Sequence, residues 1–267
     1  MTHDPNSQAE VPWGTLAPTG PFAALLDASR RSGNSALARL AMWLAPEATD
    51  IETLGFKARL HPKDNLSEKR ALVSPQRFDP AELAFLCKAI TPEFCFIDIG
   101  ANCGIYTLHL AARAGAGARF VAVDPQPEML RRLHYNLAIN DFAAPVEIHD
   151  LAISDKAGTL TFHVNTHNRG ESGLITSGEE IRVNSVTLLD LMNTAEMEQA
   201  SAIKIDVEGA EMRILSRFFE DAPSSRWPGI LVLESLYSNA ERDPVGLAQE
   251  KGYEIALNTG RNVILAR

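Results

Sequence analysis

Apolar residues along this chain fall into two rhythms. Short continuous runs occur at Phe94-Cys95-Phe96-Ile97, Arg119 to Val123, Val146 to Ile148, Ala202 to Ile205 and Ile230 to Leu233, the pattern of strands buried on both faces. Stretches with helical spacing, Ile105 to Arg113, Pro127 to Asn140 and Ala210 to Phe219, alternate with them. That order predicts right-handed βαβ crossovers and a mostly parallel sheet. Thr159 to Asn165 and Arg182 to Val186 alternate like strands, and Arg169-Gly170-Glu171-Ser172-Gly173 between them reads as a long loop that carries specificity. Tyr253 to Leu257 and Asn262 to Ala266 flank the turn residues Asn258-Thr259-Gly260-Arg261, which predicts a closing antiparallel hairpin. The fold class is therefore α/β and Rossmann-like: a mostly parallel sheet, a C-terminal antiparallel hairpin and a short N-terminal helical extension.

The chain ahead of this regular part is less patterned. Residues 1–20 are polar and rich in Pro and Gly, and are expected as a disordered arm. Residues 21–70 form the helical extension, with Phe22-Leu25-Leu26 and Leu37-Leu40-Ala41-Leu44 on two short helices separated by Ser32-Gly33-Asn34. These helices either pack on the domain surface or cover its substrate side. Residues 71–267 make the main domain, although signals from Ile51 to Arg77 are mixed. Pro80 to Ala89 is predicted helical, with Asp79 as its N-cap.

Composition narrows the class. The 267 residues are 45% hydrophobic and 22% charged, without an apolar run of the roughly 18 residues a membrane span needs, so no membrane insertion is expected. A formal charge of −9 argues against a general grip on nucleic acid phosphates. Cys87, Cys95 and Cys103 form no paired framework, and the first residues lack an export-type apolar stretch, so the cytoplasm is the expected compartment.

The strongest chemical signal is Asp98-Ile99-Gly100-Ala101-Asn102-Cys103-Gly104, between a buried strand and a helix. In an open α/β sheet a ligand sits beyond the carboxyl ends of the strands, and Gly100 and Gly104 let backbone approach it. Side-chain volume at Gly100 is accordingly expected to block the ligand while leaving much of the fold intact. The loop lacks the second glycine of GxGxxG, and a carboxylate at Asp98 repels a diphosphate but suits a cationic amino group and sulfonium. S-adenosylmethionine is favoured over NAD, with a plain capped turn as the structural alternative. Asp124, before Pro125, stands where it accepts from a ribose diol, or serves the turn. Asp150 and Leu151 suit an adenine amine and ring face, or an ordinary loop. Asp206, Glu208 and Glu211 end a central strand and start a helix; part of this complements the helix N-terminus, but Asp206 at a buried strand tip calls for a function.

Taken in order, DIGANCG, VDPQP, LAISDKAGTL, VTLLDL, KIDVEGAE and a strand ending at Glu234 resemble the FkbM family of S-adenosylmethionine-dependent methyltransferases, from about Phe94 to Arg267. The resemblance implies a class I methyltransferase fold and, usually, O-methylation of a sugar or secondary metabolite. The cofactor site is assigned to Asp98, Ile99, Gly100, Ala101, Asn102, Gly104, Tyr106, Asp124, Pro125, Asp150, Leu151 and Asp206. The acceptor is expected to be a small molecule or glycan with a hydroxyl, whose proton a side chain accepts; Asp206 is the first candidate base, followed by Glu208 and His163. No metal is expected, because His163 and His167 with Asp206 match no metal-ligand spacing. The alternatives are a NAD-dependent oxidoreductase and a non-catalytic nucleoside-cofactor-binding protein.

Overall fold

A computed structural model of the chain describes residues 11–173, 178–234 and 243–267. Two helices come first, α1 (Gly20–Ser32) and α2 (Ser35–Leu44), and Asn34 caps α2 by accepting from the backbone N–H groups of Ala36 and Leu37. A hairpin of β1 (Thr49–Thr53) and β2 (Phe56–Leu60) follows, then α3 (Leu66–Val73) and α4 (Pro80–Lys88). The alternating part runs β3 (Cys95–Ile99), α5 (Ile105–Ala111), β4 (Arg119–Val123), α6 (Pro127–Ala138) and β5 (Val146–His149). After it come β6 (Ala152–Ile153), β7 (Gly158–Val164), β8 (Glu179–Val186), α7 (Leu188–Thr194), β9 (Ala202–Ile205), α8 (Glu211–Asp221) and β10 (Ile230–Glu234). The chain closes with α9 (Pro244–Glu250), β11 (Glu254–Asn258) and β12 (Asn262–Ala266).

Seven strands form the main sheet in the order β11-β12-β10-β9-β3-β4-β5. The five from β10 to β5 are mutually parallel, and β12 runs antiparallel to both β10 and β11. This is the class I methyltransferase arrangement, with the C-terminal hairpin at one edge. The strand runs are largely apolar because both faces are covered. Phe94, Phe96 and Phe120 pack with Leu108 and Leu133 on one face, while Ile97, Ile99, Val121 and Ile203 pack with Ile214, Leu215 and Phe218 on the other. Strands β6, β8 and β7 form a separate three-stranded sheet, so the two alternating segments of the insertion pair with each other.

The N-terminal extension contains a β-hairpin as well as helices. Its mixed signal has a physical origin: Asp50 and Arg59, polar residues on short strands, are buried against each other, with Arg59 Nε donating to Asp50 Oδ1 at 2.7 Å. The expected arm, residues 1–20, falls partly outside the described residues. Its described part is tied down, because Asp50 Oδ2 accepts from the backbone N–H groups of Gly14 (2.8 Å) and Leu16 (3.0 Å). The hairpin is in turn fixed to α6, where Asn136 Oδ1 accepts from the Arg59 N–H and Tyr135 stacks under the Arg59 guanidinium at 4.3 Å.

Candidate functional site

The chain leaves β3 toward β4 and β5, then returns to place β9 on the opposite side of β3. Loops therefore diverge at the carboxyl ends of β3 and β9, which is where an open α/β sheet leaves a crevice. A cavity lies there. Asp98, Ile99, Gly100, Ala101, Asn102 and Tyr106 line it from the first strand–turn–helix unit, Asp124 and Pro125 from the end of β4, Leu151 from the end of β5, and Asp206 and Glu208 from the end of β9.

Both glycines of the first loop are required by protein neighbours. Gly100 has φ 71°, and a Cβ there would lie 1.9 Å from the Asp206 carbonyl oxygen. Gly104 has φ 83° and lies outside the cavity lining; its Cβ would lie 2.2 Å from Leu133 Cδ1 of α6. Asn102 takes the left-handed conformation at φ 56°, and its backbone N–H donates to Asp124 Oδ2 at 2.8 Å. The Gln126 N–H donates to Asp124 Oδ1 at 2.9 Å. Asp124 thus ties the loops that follow β3 and β4 together while lining the cavity. Burial pushes its carboxyl up to about 6 against the pull of these two backbone bonds.

A chain of charges crosses the floor. Lys204 of β9, almost fully buried, has its Nζ 3.0 Å from Asp206 Oδ2, 3.6 Å from Asp98 Oδ1 and 5.2 Å from the Tyr106 ring centroid. Thr107 Oγ1 donates to Asp98 Oδ2 at 2.8 Å, and Asp98 Oδ1 is buried without a hydrogen-bond partner among the described residues. Burial works against ionisation of Asp206, but the adjacent Lys204 ammonium outweighs it and holds the carboxyl below the usual range. Burial, then the Asp206 and Glu208 carboxylates, push Glu234 at the end of β10 well above that range. Asp79 occupies the N-cap position of α4 at φ 39°, yet its side chain makes no cap bond. It accepts from Tyr106 Oη at 2.9 Å instead and lines the cavity.

Two anticipated residues stand elsewhere. Asp150 is exposed and outside the cavity lining, where only its neighbour Leu151 contributes. On β7 the alternation of a strand turns Phe162 into the cavity and sets His163 outside its lining; the His163 N–H donates to the Gly173 carbonyl at 2.9 Å. His163, the weaker candidate base, and Asp150, the expected adenine contact, thus both stand outside the lining that Asp206 and Leu151 share.

Other residues join the site without having been singled out. Lys204 was legible as a cation inside the buried run Ile203-Lys204-Ile205, a position that demands a counter-charge. Ser67 and Arg70 of α3 line the cavity from the N-terminal extension, and no periodic pattern marked them. Their helix is clamped over the site: Asp64 accepts from Arg132 Nη2 at 2.7 Å and from Arg169 Nε, in the insertion, at 3.0 Å, and Asn65 Nδ2 donates to Asn102 Oδ1 at 2.6 Å.

The FkbM methyltransferase domain matches residues 98–254 of the chain. The chain is 25% identical to methyltransferase sdnD of Sordaria araneosa, over 66% of this chain and 73% of that protein. It is 27% identical to AMB antimetabolite synthetase AmbE of Pseudomonas aeruginosa, over 47% of this chain but only 8% of that protein. Among solved structures, the Pyrococcus abyssi tRNA (uracil-54, C5)-methyltransferase in complex with S-adenosyl-L-homocysteine aligns at TM-score 0.46 and 15% identity, covering 83% of this chain and 44% of that one. A methyltransferase from Geobacter sulfurreducens aligns at TM-score 0.42 and 12% identity, covering 95% and 91%.

Proposed function

Because the chain belongs to the FkbM family of S-adenosylmethionine-dependent methyltransferases, we propose that it methylates a hydroxyl oxygen of a small-molecule or glycan acceptor. The cavity residues suit the cofactor. Asp98 Oδ1, buried and without a hydrogen-bond partner among the described residues, is an acceptor for its ammonium, and Asp124 is an acceptor for its ribose hydroxyls. When bound, S-adenosylmethionine supplies a methyl group activated on a sulfonium, which leaves the chain to hold an acceptor oxygen in line and to take its proton.

The observation that carries this reading is Asp206, a carboxylate at the tip of β9, kept ionised by Lys204 and lining the cavity at the switch point of the sheet. It is ready to accept from a hydroxyl. Lys204 lowers its basicity, so its first contribution is to orient the O–H, and Glu208 beside it is the second acceptor. A small acceptor is supported by the clamp of α3 and the insertion over the cavity, and by the relative AmbE, which is named as an antimetabolite synthetase. The test is methyl transfer from S-adenosylmethionine to a panel of hydroxylated metabolites and sugars, with the product bond identified by NMR. An O-methyl product lost when the hydroxyl is blocked supports the reading; a methyl group on nitrogen or carbon overturns it.

A further inference from the structure

The carboxylate of S-adenosylmethionine is its only negative charge, and the residues assigned to the cofactor above give it no partner. A glycine-containing turn between strand and helix is the ordinary source of backbone N–H groups for such an anion. In this chain the turn has none to spare. The N–H groups of Gly100 and Ala101 both donate to the Val123 carbonyl at 3.0 Å, that of Asn102 to Asp124 Oδ2 at 2.8 Å, that of Cys103 to Asn102 Oδ1 at 2.6 Å and that of Gly104 to the Ala101 carbonyl at 2.8 Å. An anion beside this turn has to draw on side-chain donors, or on the start of the seven-residue helix α5.

Among the described residues, the cations that line the cavity are Arg70, Arg169, Lys204 and Arg261. Three of them already face acids: Lys204 is shared by Asp98 and Asp206, Arg169 Nε is 3.0 Å from Asp64 Oδ2, and Arg261 Nη2 is 3.5 Å from Glu234 Oε1. Arg70 differs. Its half-buried guanidinium makes no hydrogen bond or ion pair among the described residues, although it carries five N–H donors. The helix that presents it is held firmly. Asn65, the N-cap of α3, donates to Asn102 Oδ1 at 2.6 Å and so joins α3 to the turn after β3, while the Leu66 N–H donates to Asn168 Oδ1 of the insertion at 3.0 Å. Ser67 and Arg70, three residues apart, share one face of α3, and both line the cavity.

We propose that Arg70, with Ser67 beside it, binds the methionyl carboxylate of S-adenosylmethionine. The planar guanidinium fork is the side chain best matched to a carboxylate, and a hydroxyl adds one further donor. The amino and carboxylate groups of the cofactor share one carbon atom, so this inference rests, for its placement, on the reading of Asp98 as the acceptor for the ammonium. Both residues precede the matched family domain, which begins at residue 98, so the N-terminal extension completes the cofactor site. The same helix is bonded to the insertion, which makes α3 the element through which cofactor and insertion are held in one arrangement.

The experiment is calorimetric titration of the full chain with S-adenosylhomocysteine and with the analogue that lacks only its carboxylate. The wild-type protein should bind S-adenosylhomocysteine about tenfold to a hundredfold more tightly than the analogue. In Arg70→Met the affinity for S-adenosylhomocysteine should fall by a similar factor while the analogue binds as it does to the wild type, so that the preference disappears. Arg70→Lys, which keeps the charge without the fork, should retain an intermediate preference and serves as the variant should Arg70→Met fail to fold. Equal binding of the two ligands by the wild type overturns the proposal. So does an undiminished preference in a folded variant, which would hand the carboxylate to the start of α5, and so does an equal weakening of both ligands, which would make Arg70 a structural residue. A second analogue lacking only the amino group tests the Asp98 placement separately: if the wild type binds it as tightly as S-adenosylhomocysteine, that placement fails while the comparison at Arg70 still reads the carboxylate.

Discussion

A Cβ on Gly100 would stand 1.9 Å from the carbonyl oxygen of Asp206, so the turns that leave β3 and β9 touch backbone to backbone at the head of the cavity. The Asp206 N–H donates to the Ile99 carbonyl at 3.1 Å and fixes that approach. Gly100→Ala therefore has to move a backbone carbonyl and also hold a side chain at φ 71°. The expected cost is about 2–4 kcal/mol of stability. A cofactor-binding defect should accompany a lowered melting temperature, not occur in an otherwise intact fold. An unchanged melting temperature together with lost S-adenosylhomocysteine binding would restore the ligand-approach explanation.

Lys204 compensates two carboxylates at once, and its removal leaves Asp98 and Asp206 close together with no shared cation. Lys204→Met should cost roughly 3–5 kcal/mol, the usual consequence of stranding a buried charge. Adding Asp98→Asn should return part of the loss, because one of the stranded charges is then gone. Thermal unfolding of the single and double variants measures this directly. Additive losses in the double variant would show that the two residues do not act as a pair.

The sheet was legible because its strands are buried on both faces and carry largely apolar runs, as Phe96-Ile97 and Leu231 to Leu233 show. The loops at their carboxyl ends were legible for the same reason: Asp98, Asp124 and Asp206 are acids placed where an apolar run stops. What escaped was long-range. Asp50 and Arg59 hide a hairpin core inside polar-looking sequence, since their pairing is visible only once both are buried. Ser67 and Arg70 reach the cavity through the Asp64–Arg132 and Asp64–Arg169 contacts, which join segments 68 and 105 residues apart. Asp79 looked like a helix cap because an Asp before Pro usually is one, but here its side chain is taken by Tyr106. His163 and Phe162 exchange faces on a one-residue shift, a distinction that a strand of seven residues with a modest pattern does not fix.

Asp124 gives the site a pH dependence with a definite sign. Its carboxyl is raised to about 6 in the ligand-free protein, chiefly by burial. The stability it contributes is thus fully present below its unfolded value of about 3.9 and is lost as pH rises through about 6. Ribose hydroxyls donate to the ionised form, so cofactor binding should pull the carboxyl down and release a proton. S-adenosylhomocysteine affinity is expected to rise about tenfold from pH 5 to pH 7 and level off above. Asp124→Asn should bind more weakly and show a flat profile over this range. Calorimetric titration in buffers of different ionisation enthalpy reads both affinity and proton release, and binding that weakens with rising pH would contradict the assignment.

The choice of the group facing the acceptor separates Asp206 from His163. Asp206 lines the cavity, and His163 lies outside that lining on β7, where its neighbour Phe162 faces the cavity. Asp206→Asn keeps the shape and one carbonyl oxygen but removes the charge proposed to orient and receive the hydroxyl proton. Turnover at saturating cofactor and acceptor should fall by about 10²–10⁴. Binding of S-adenosylhomocysteine should change far less, because the backbone contact between Asp206 and Gly100 is preserved in this variant. His163→Ala should keep wild-type turnover. The reverse pattern, a silent Asp206→Asn and a disabled His163→Ala, would require the three-stranded sheet to present its other face to the acceptor. A loss in Asp206→Asn that recovers at saturating acceptor would instead make the residue a binding contact without a part in proton transfer. A fall in kcat that persists at saturation, in a variant with wild-type melting temperature, is the outcome that places Asp206 at the reacting oxygen.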